Sequence, residues 1–237
     1  MRNTLMLGTT VLLALALVAC DDDDAAGEVT PEPTGSAATG PSAGASAEEA
    51  RPTEQPTQAA QAPVTATVGA PAPDFTLTDQ AGTEHRLAQY RGRIVVLEWI
   101  SPNCPFVQRH YQAQTMKRLV DAFPADRVVW LAIDSSHDVQ ASDSQEWREE
   151  HGLPYPILQD AQGTVGRQYA ARTTPHMFVI DGEGVVRYAG AIDDDPRSRQ
   201  DQDTNYVQGA VEALLAGNDP PVTSTEPYGC TVKYGES

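Results

Sequence analysis

Between Val68 and Gly217 the chain changes rhythm several times. Asp74-Phe75-Thr76-Leu77-Thr78 alternates apolar and polar positions, and with Thr83 to Leu87 it flanks the turn-forming Asp79-Gln80-Ala81-Gly82. That pattern predicts a β-hairpin. Arg93 to Trp99 is apolar on both faces, as in the middle of a covered sheet. From Pro105 to Phe123 the apolar residues Phe106, Val107, Tyr111, Leu119, Val120 and Phe123 lie near one stripe. This spacing predicts one helix, ended by Pro124. Arg127 to Ile133 reads as a second buried strand, and Ser142-Asp143-Ser144-Gln145 as a capping box opening a helix through His151. A short helix around Val165 to Ala170 follows. Strands His176 to Ile180 and Val185 to Ala189 are then joined by Asp181-Gly182-Glu183-Gly184. A last helix runs from about Thr204 to Ala216, with Gly217 suited to its C-cap. This order predicts an α/β sandwich, a central mixed sheet flanked by helices.

The pattern stops at both ends of that region. Arg2 and the apolar run Leu5 to Ala19 have the make-up of a targeting segment, too short to span a bilayer comfortably. The run closes with Leu17-Val18-Ala19-Cys20, which resembles a bacterial lipobox. That resemblance implies lipidation of Cys20 and a membrane anchor. Asp21 directly after it resembles an inner-membrane retention signal. Residues 21–66 begin acidic and continue rich in Ala, Thr, Pro, Ser, Gly and Gln, with little to bury, and are expected to form a disordered tether. About 40 such residues reach roughly 35 Å. The expected organisation is a signal over 1–20, the tether, a folded domain over 67–217 and a tail over 218–237. The domain would lie on the extracytoplasmic side of the cell envelope, where disulfides persist.

Composition narrows the partners. The 237 residues carry a formal net charge of −17, which leaves nothing to neutralise phosphates and argues against nucleic acid. Only three cysteines are present: Cys20, Cys104 and Cys230.

Cys104 is the candidate nucleophile. It stands between the run Ile94-Val95-Val96-Leu97 and the amphipathic stretch that starts at Pro105. A thiol at a strand-to-helix junction meets unpaired N–H groups and the positive end of the helix dipole, which favour a thiolate. Pro105 fits the first helical position, where a missing N–H costs nothing. A small buried hydrophobe is the plainer role for a free cysteine.

Further motifs make the chain similar to the thioredoxin superfamily, in its redoxin or AhpC/TSA-like branch. Ala72-Pro73-Asp74-Phe75-Thr76-Leu77 resembles that branch's opening motif. Glu98 falls where thioredoxins carry a buried acid, and Thr174-Pro175 before His176-Met177-Phe178-Val179-Ile180-Asp181 resembles the cis-proline loop. Glu98-Trp99, Asn103-x-Cys104-Pro105-Phe106-Val107 and the ending Tyr228-Gly229-Cys230-Thr231-Val232-Lys233-Tyr234 resemble a group of extracytoplasmic redoxin-like proteins. Three departures stand out. Val107 occupies the second place of the usual Cys-x-x-Cys. In the peroxiredoxin signature Leu97 replaces the proline, while Ser101 fits the hydroxyl position. The arginine expected before the Phe178 strand is also missing, since Pro175 stands there.

The resemblance implies a thioredoxin-like fold and an enzyme that works by thiol exchange. Cys104 would attack, Cys230 would resolve, Glu98 would accept a proton and a cis Pro175 would shape the groove. The Thr174 backbone would hydrogen-bond an extended substrate, with Ser101 and Trp99 also contacting it. A mixed disulfide and a sulfenic acid both condense with a second thiol, so a protein or small-molecule disulfide and a hydroperoxide are both expected substrates, with a thiol reductant to complete the cycle. Alternatively, Cys104 and Cys230 form a static disulfide in a binding module, worth about 4–5 kcal/mol for so long a loop. Either bond needs the Cα atoms within about 7 Å. Glu98 could instead be a strand-edge group in a salt bridge. No cofactor is expected. His110 and His176 do not complete a metal set with Cys104, and Asp193-Asp194-Asp195 reads as a solvated acidic loop.

Overall fold

A computed structural model describes residues 65–197 and 204–236. The expected signal, most of the tether and Cys20 lie outside the described residues. Among the described residues no helix is long and apolar enough to cross a membrane.

The run at Ile94 becomes β3 (Ile94–Trp99), every residue of which is buried. Its neighbours are β4 (Val128–Asp134), parallel, and β7 (His176–Ile180), antiparallel. With β1 (Thr76–Asp79), β2 (Glu84–Arg86), β5 (Ile157–Gln159) and β8 (Val186–Gly190) they form a seven-stranded mixed sheet in the order β2-β1-β5-β4-β3-β7-β8. Alternation along β3 divides the core. Val96 and Ile100 face one layer, built with α1 (Pro105–Gln112), α2 (Thr115–Ala122) and α5 (Tyr206–Leu215). Val95, Leu97 and Trp99 face the other, which includes Val165 of α4 (Thr164–Gln168). α3 (Ala141–Glu150) contributes Trp147 to the first layer. The fold is a thioredoxin-like α/β sandwich, as the element order predicts.

Three details differ from expectation. The stretch after Pro105 is two helices, not one. Gln112, Ala113 and Gln114 are all exposed, so no burial holds that turn, and Gln114 adopts a left-handed conformation (φ 55°). The break returns Thr115, Met116 and Leu119 to the core. The capping box at Ser142 does not form. α3 starts two residues earlier, at Ala141 with Gln140 as its N-cap, Ser144 is buried, and its hydroxyl accepts from Gln159 Nε2 at 3.0 Å. The three-residue β5 lacks a sequence signature, because so short an apolar run suits a strand or a helix equally.

The tail folds back onto the domain. After α5 the chain returns along β8: Ala189 N–H donates to the Thr223 carbonyl, Thr225 N–H to the Ala189 carbonyl, and Ala191 N–H to Thr225 Oγ1 at 2.9 Å. It then forms a two-stranded antiparallel sheet, β6 (Thr173–Thr174) with β9 (Cys230–Thr231), pairing Thr174 with Cys230. Beyond β9, Val232 is buried in the second core layer. Tyr234 donates to the Ala171 carbonyl at 2.7 Å and lies under the Arg167 guanidinium. A Cβ on Gly163 or Gly166 would lie 2.5 Å from the Tyr234 ring or hydroxyl, so these glycines make its seat. Before β9, Tyr228 donates to Asp193, and His110 Nε2 lies 3.1 Å from its hydroxyl. The tail is thus anchored on both sides of Cys230.

Candidate active site

Cys104 is the N-cap of α1, with Pro105 at its first turn. Its carbonyl accepts from Gln108 N–H, and its own N–H donates to the Ser101 carbonyl, each at 2.9 Å. The side chain is 2% exposed. Its Sγ donates to the Thr174 carbonyl at 2.9 Å. Thr174 and Pro175 are joined by a cis peptide bond, and the Thr174 hydroxyl is buried without a hydrogen-bond partner. On ionisation the thiol loses its donated bond to the carbonyl, while the unpartnered hydroxyl gains an acceptor.

The pairing of Cys230 with Thr174, the residue whose carbonyl accepts from Cys104, brings the second thiol to the first. Both are free, Cys230 is partly exposed, and each shifts the ionisation of the other. Burial works to raise the Cys104 thiol. The Cys230 thiol, the Thr174 side chain and the amides of Val107 and Cys230 outweigh it, and hold Cys104 below its ordinary value. Cys230 is pushed up to about 11, by burial first and then by Cys104. One sulfur of the pair is therefore the better nucleophile and leaving group, and the other keeps its proton.

Glu98 is on the same face of β3 as Val96 and Ile100 and has no exposed surface. Tyr111 donates to its Oε1 at 3.1 Å and Trp130 to its Oε2 at 2.9 Å. Tyr155 in turn donates to the Tyr111 hydroxyl at 3.3 Å. Burial pushes the carboxyl up to about 7, and the two neutral donors only partly oppose it. A carboxyl in that range exchanges its proton near neutral pH.

A model of the AhpC/TSA family matches residues 68–189, about half of the chain. The chain belongs to the AhpC/TSA family. It is 34% identical over 120 residues to the thiol-disulfide oxidoreductase ResA of Geobacillus kaustophilus, covering 51% of this chain and 67% of that protein. It is 29% identical over 136 residues to the thiol:disulfide interchange protein DsbE of Escherichia coli, covering 56% and 69%. Among solved structures it is similar to a hypothetical protein of Sinorhizobium meliloti, with TM-score 0.66 and 27% identity, covering 73% of this chain and 97% of the other.

In this AhpC/TSA member the expected site residues divide. Cys104, Cys230, Thr174 and Pro175 come together at the head of α1. Glu98 is a central-strand residue held by hydrogen bonds, so the strand-edge salt bridge does not occur. Trp99 is a correction. It projects to the opposite face of the sheet, wholly buried against Tyr169 and Phe178, with its Nε1 donating to Ser135 at 3.0 Å, so it has no surface to offer a substrate. The Thr174 backbone is also not open to a substrate, because Cys230 is paired with it. Ser101 is partly exposed and lines a cleft with Asn103, Asp134, Ser136 and Asp138.

Asp193 is not part of a solvated loop. It is buried against Tyr228, with its carboxylate 3.9 Å from His110 Nδ1. His176 Nδ1 accepts from the Arg172 N–H at 3.3 Å. Among the described residues no group of three or more His, Cys, Asp or Glu is arranged to hold a metal ion. Sequence reasoning missed Tyr111 and Trp130, the donors to Glu98. Tyr111 is visible only as a member of the helical stripe and Trp130 only as part of a buried strand.

Proposed function

We propose that this AhpC/TSA member is a lipid-anchored, extracytoplasmic thiol–disulfide oxidoreductase that cycles between a Cys104–Cys230 dithiol and disulfide. The observation that carries this reading is the pairing of Cys230 with Thr174, whose carbonyl accepts from the helix-capping Cys104 thiol, so that both thiols meet at one residue. Cys104, as thiolate, attacks one sulfur of a substrate disulfide and expels the other as a thiolate. Cys230 then attacks Cys104 Sγ, releases the second substrate thiolate and closes the protein disulfide. Its thiol is the less acidic, so a base must take its proton, and Glu98 is a buried group able to hold one near neutral pH. Pro175 fixes the turn that aims the Thr174 carbonyl and hydroxyl at Cys104. The names of the ResA and DsbE relatives agree with this chemistry. The anchor rests on the Leu17-Val18-Ala19-Cys20 motif alone.

A second reading is a thiol peroxidase, favoured by the near-complete cover over Cys104, which suits a small oxidant. Here Cys104 attacks a peroxide oxygen, the O–O bond breaks, and Cys230 displaces water from the sulfenic acid.

The deciding experiment uses the reduced Cys20→Ser chain, in which only two thiols remain. Its rates with hydrogen peroxide and with dithiodipyridine are measured, and the product is mapped by mass. The oxidoreductase reading expects slow peroxide reaction, ready disulfide exchange and a Cys104–Cys230 linkage in the product. Peroxide reaction orders of magnitude faster than a free thiol, ending in that linkage, makes the protein a peroxidase. A product without the linkage overturns both.

A further inference from the structure

The tail lies where a disulfide-bearing strand would have to dock if it were to reach Cys104. β9 takes up the backbone pairing of Thr173 and Thr174, the residues directly before the Cys104-facing turn. The fit leaves no room for a second strand. A Cβ on Gly229 would lie 2.1 Å from the Thr174 carbonyl oxygen, and the glycine has φ 140°, a backbone conformation that L side chains rarely adopt. Cys104 is left 2% exposed beneath this contact.

The cover is fastened at both ends. On one side Thr223 and Thr225 extend β8, and Tyr228 is bonded to Asp193 and His110. On the other Val232 is in the core, its N–H donates to the Arg172 carbonyl at 3.1 Å, and Tyr234 fills its glycine-lined seat. A segment held by buried apolar contacts and backbone hydrogen bonds on both sides opens rarely.

Taking the thiol-exchange reading as given, we propose that the docked tail selects the oxidant by size. Cys104 is oxidised directly by small molecules, either low-molecular-weight disulfides or hydroperoxides, and folded protein disulfides are excluded until the tail lifts. In the disulfide case the Cys104 thiolate attacks one sulfur, the S–S bond breaks and a small thiolate leaves. Cys230 then gives up its proton, bonds to Cys104 and expels the second small thiolate. The oxidant gains two electrons and the protein loses two. In the hydroperoxide case an alcohol or water leaves first and water second.

One reactive group presented at two sizes tests this. The reduced Cys20→Ser chain is mixed with free dithiodipyridine, and separately with the same thiopyridyl disulfide fixed to a surface cysteine of a globular carrier. Each rate is divided by that of free cysteine with the same reagent, which removes the carrier's intrinsic effect. The carrier-bound group is expected to react about a hundredfold more slowly than the free one. Tyr234→Ala, which releases one end of the tail without touching either sulfur, is expected to narrow that gap at least about tenfold. Its rate with hydrogen peroxide should stay within about twofold of wild type, which also reports that the site remains folded. Equal normalised rates in the wild type overturn the proposal, as does a gap unchanged in both Tyr234→Ala and Val232→Ala. Failure of the underlying reading looks different: free dithiodipyridine would then modify Cys104 no faster than it modifies free cysteine.

Discussion

Cys104 is placed by the residues beside it in sequence, whereas Cys230 is placed by anchors that lie far from it along the chain. The first thiol caps α1 because a buried strand ends just before it and a proline opens the helix just after it. The second belongs to a two-residue strand that could not persist alone. It is held because Val232, Tyr234, Tyr228 and Thr225 each bind a different part of the domain. The electrostatics differ accordingly. Cys104 gathers donors that outweigh its burial and is lowered, while Cys230 is raised by burial first and then by Cys104. The proposed redox pair thus joins one rigid and one strapped partner, and only the strapped one can be loosened without rebuilding the helix.

Removing the rigid partner has the largest effect. Cys104→Ser is expected to abolish exchange with dithiodipyridine at this site, read as loss of the modified Cys104 peptide, while the tail remains docked.

The acid beneath α1 can be separated from both sulfurs by pH. Glu98 has its carboxyl raised from 4.5 to about 7 in the folded protein. Its contribution to stability is therefore fully present below about pH 4.5, and is lost as pH rises through about 7. Glu98→Gln does not ionise. Its unfolding free energy relative to wild type is expected to improve by about 3 kcal/mol between about pH 4 and about pH 8, as measured by denaturant titration at each pH. A flat difference would mean that Glu98 does not titrate in this window.

Gly229→Ala attacks the strapped partner alone. The strained backbone and the clash with the Thr174 carbonyl are expected to cost about 1–3 kcal/mol in tail docking. Air or peroxide oxidation should then yield less Cys104–Cys230 linkage by mass mapping, with the α1 half of the site unchanged.

The smallest effect belongs to Tyr111→Phe. The ring keeps its packing against Trp147 and His151, but one donor to the Glu98 carboxylate is lost. The Glu98-dependent inflection in the pH profile of disulfide closure is expected to move up by about one pH unit. An inflection that stays in place would assign the tyrosine to packing only.

The sheet and most helices were legible in sequence because their signals are local. β3 is apolar at every position but Glu98, Gly82 marks the turn between β1 and β2, Pro124 follows α2, and Gly217 follows α5. The break at Gln114 was not legible, since a helical stripe spaced over two helices reads like one over a single long helix. Trp99 was misplaced for a related reason. Its neighbour Glu98 lies on the layer shared with Cys104, and a one-residue step along a strand turns the side chain to the opposite layer.

Sequence by itself determined which thiol caps α1 and which acid lies in the central strand, because hydrophobic period and helix-start chemistry act within a few residues. Only the tertiary structure decided that Cys230 meets Cys104, that Thr174 is already occupied, and that Tyr111 and Trp130 hold Glu98. Each of these is a contact between segments far apart in the chain, where burial, the glycine seats for Tyr234 and the pairing of Thr174 with Cys230 choose among arrangements that local pattern leaves equal.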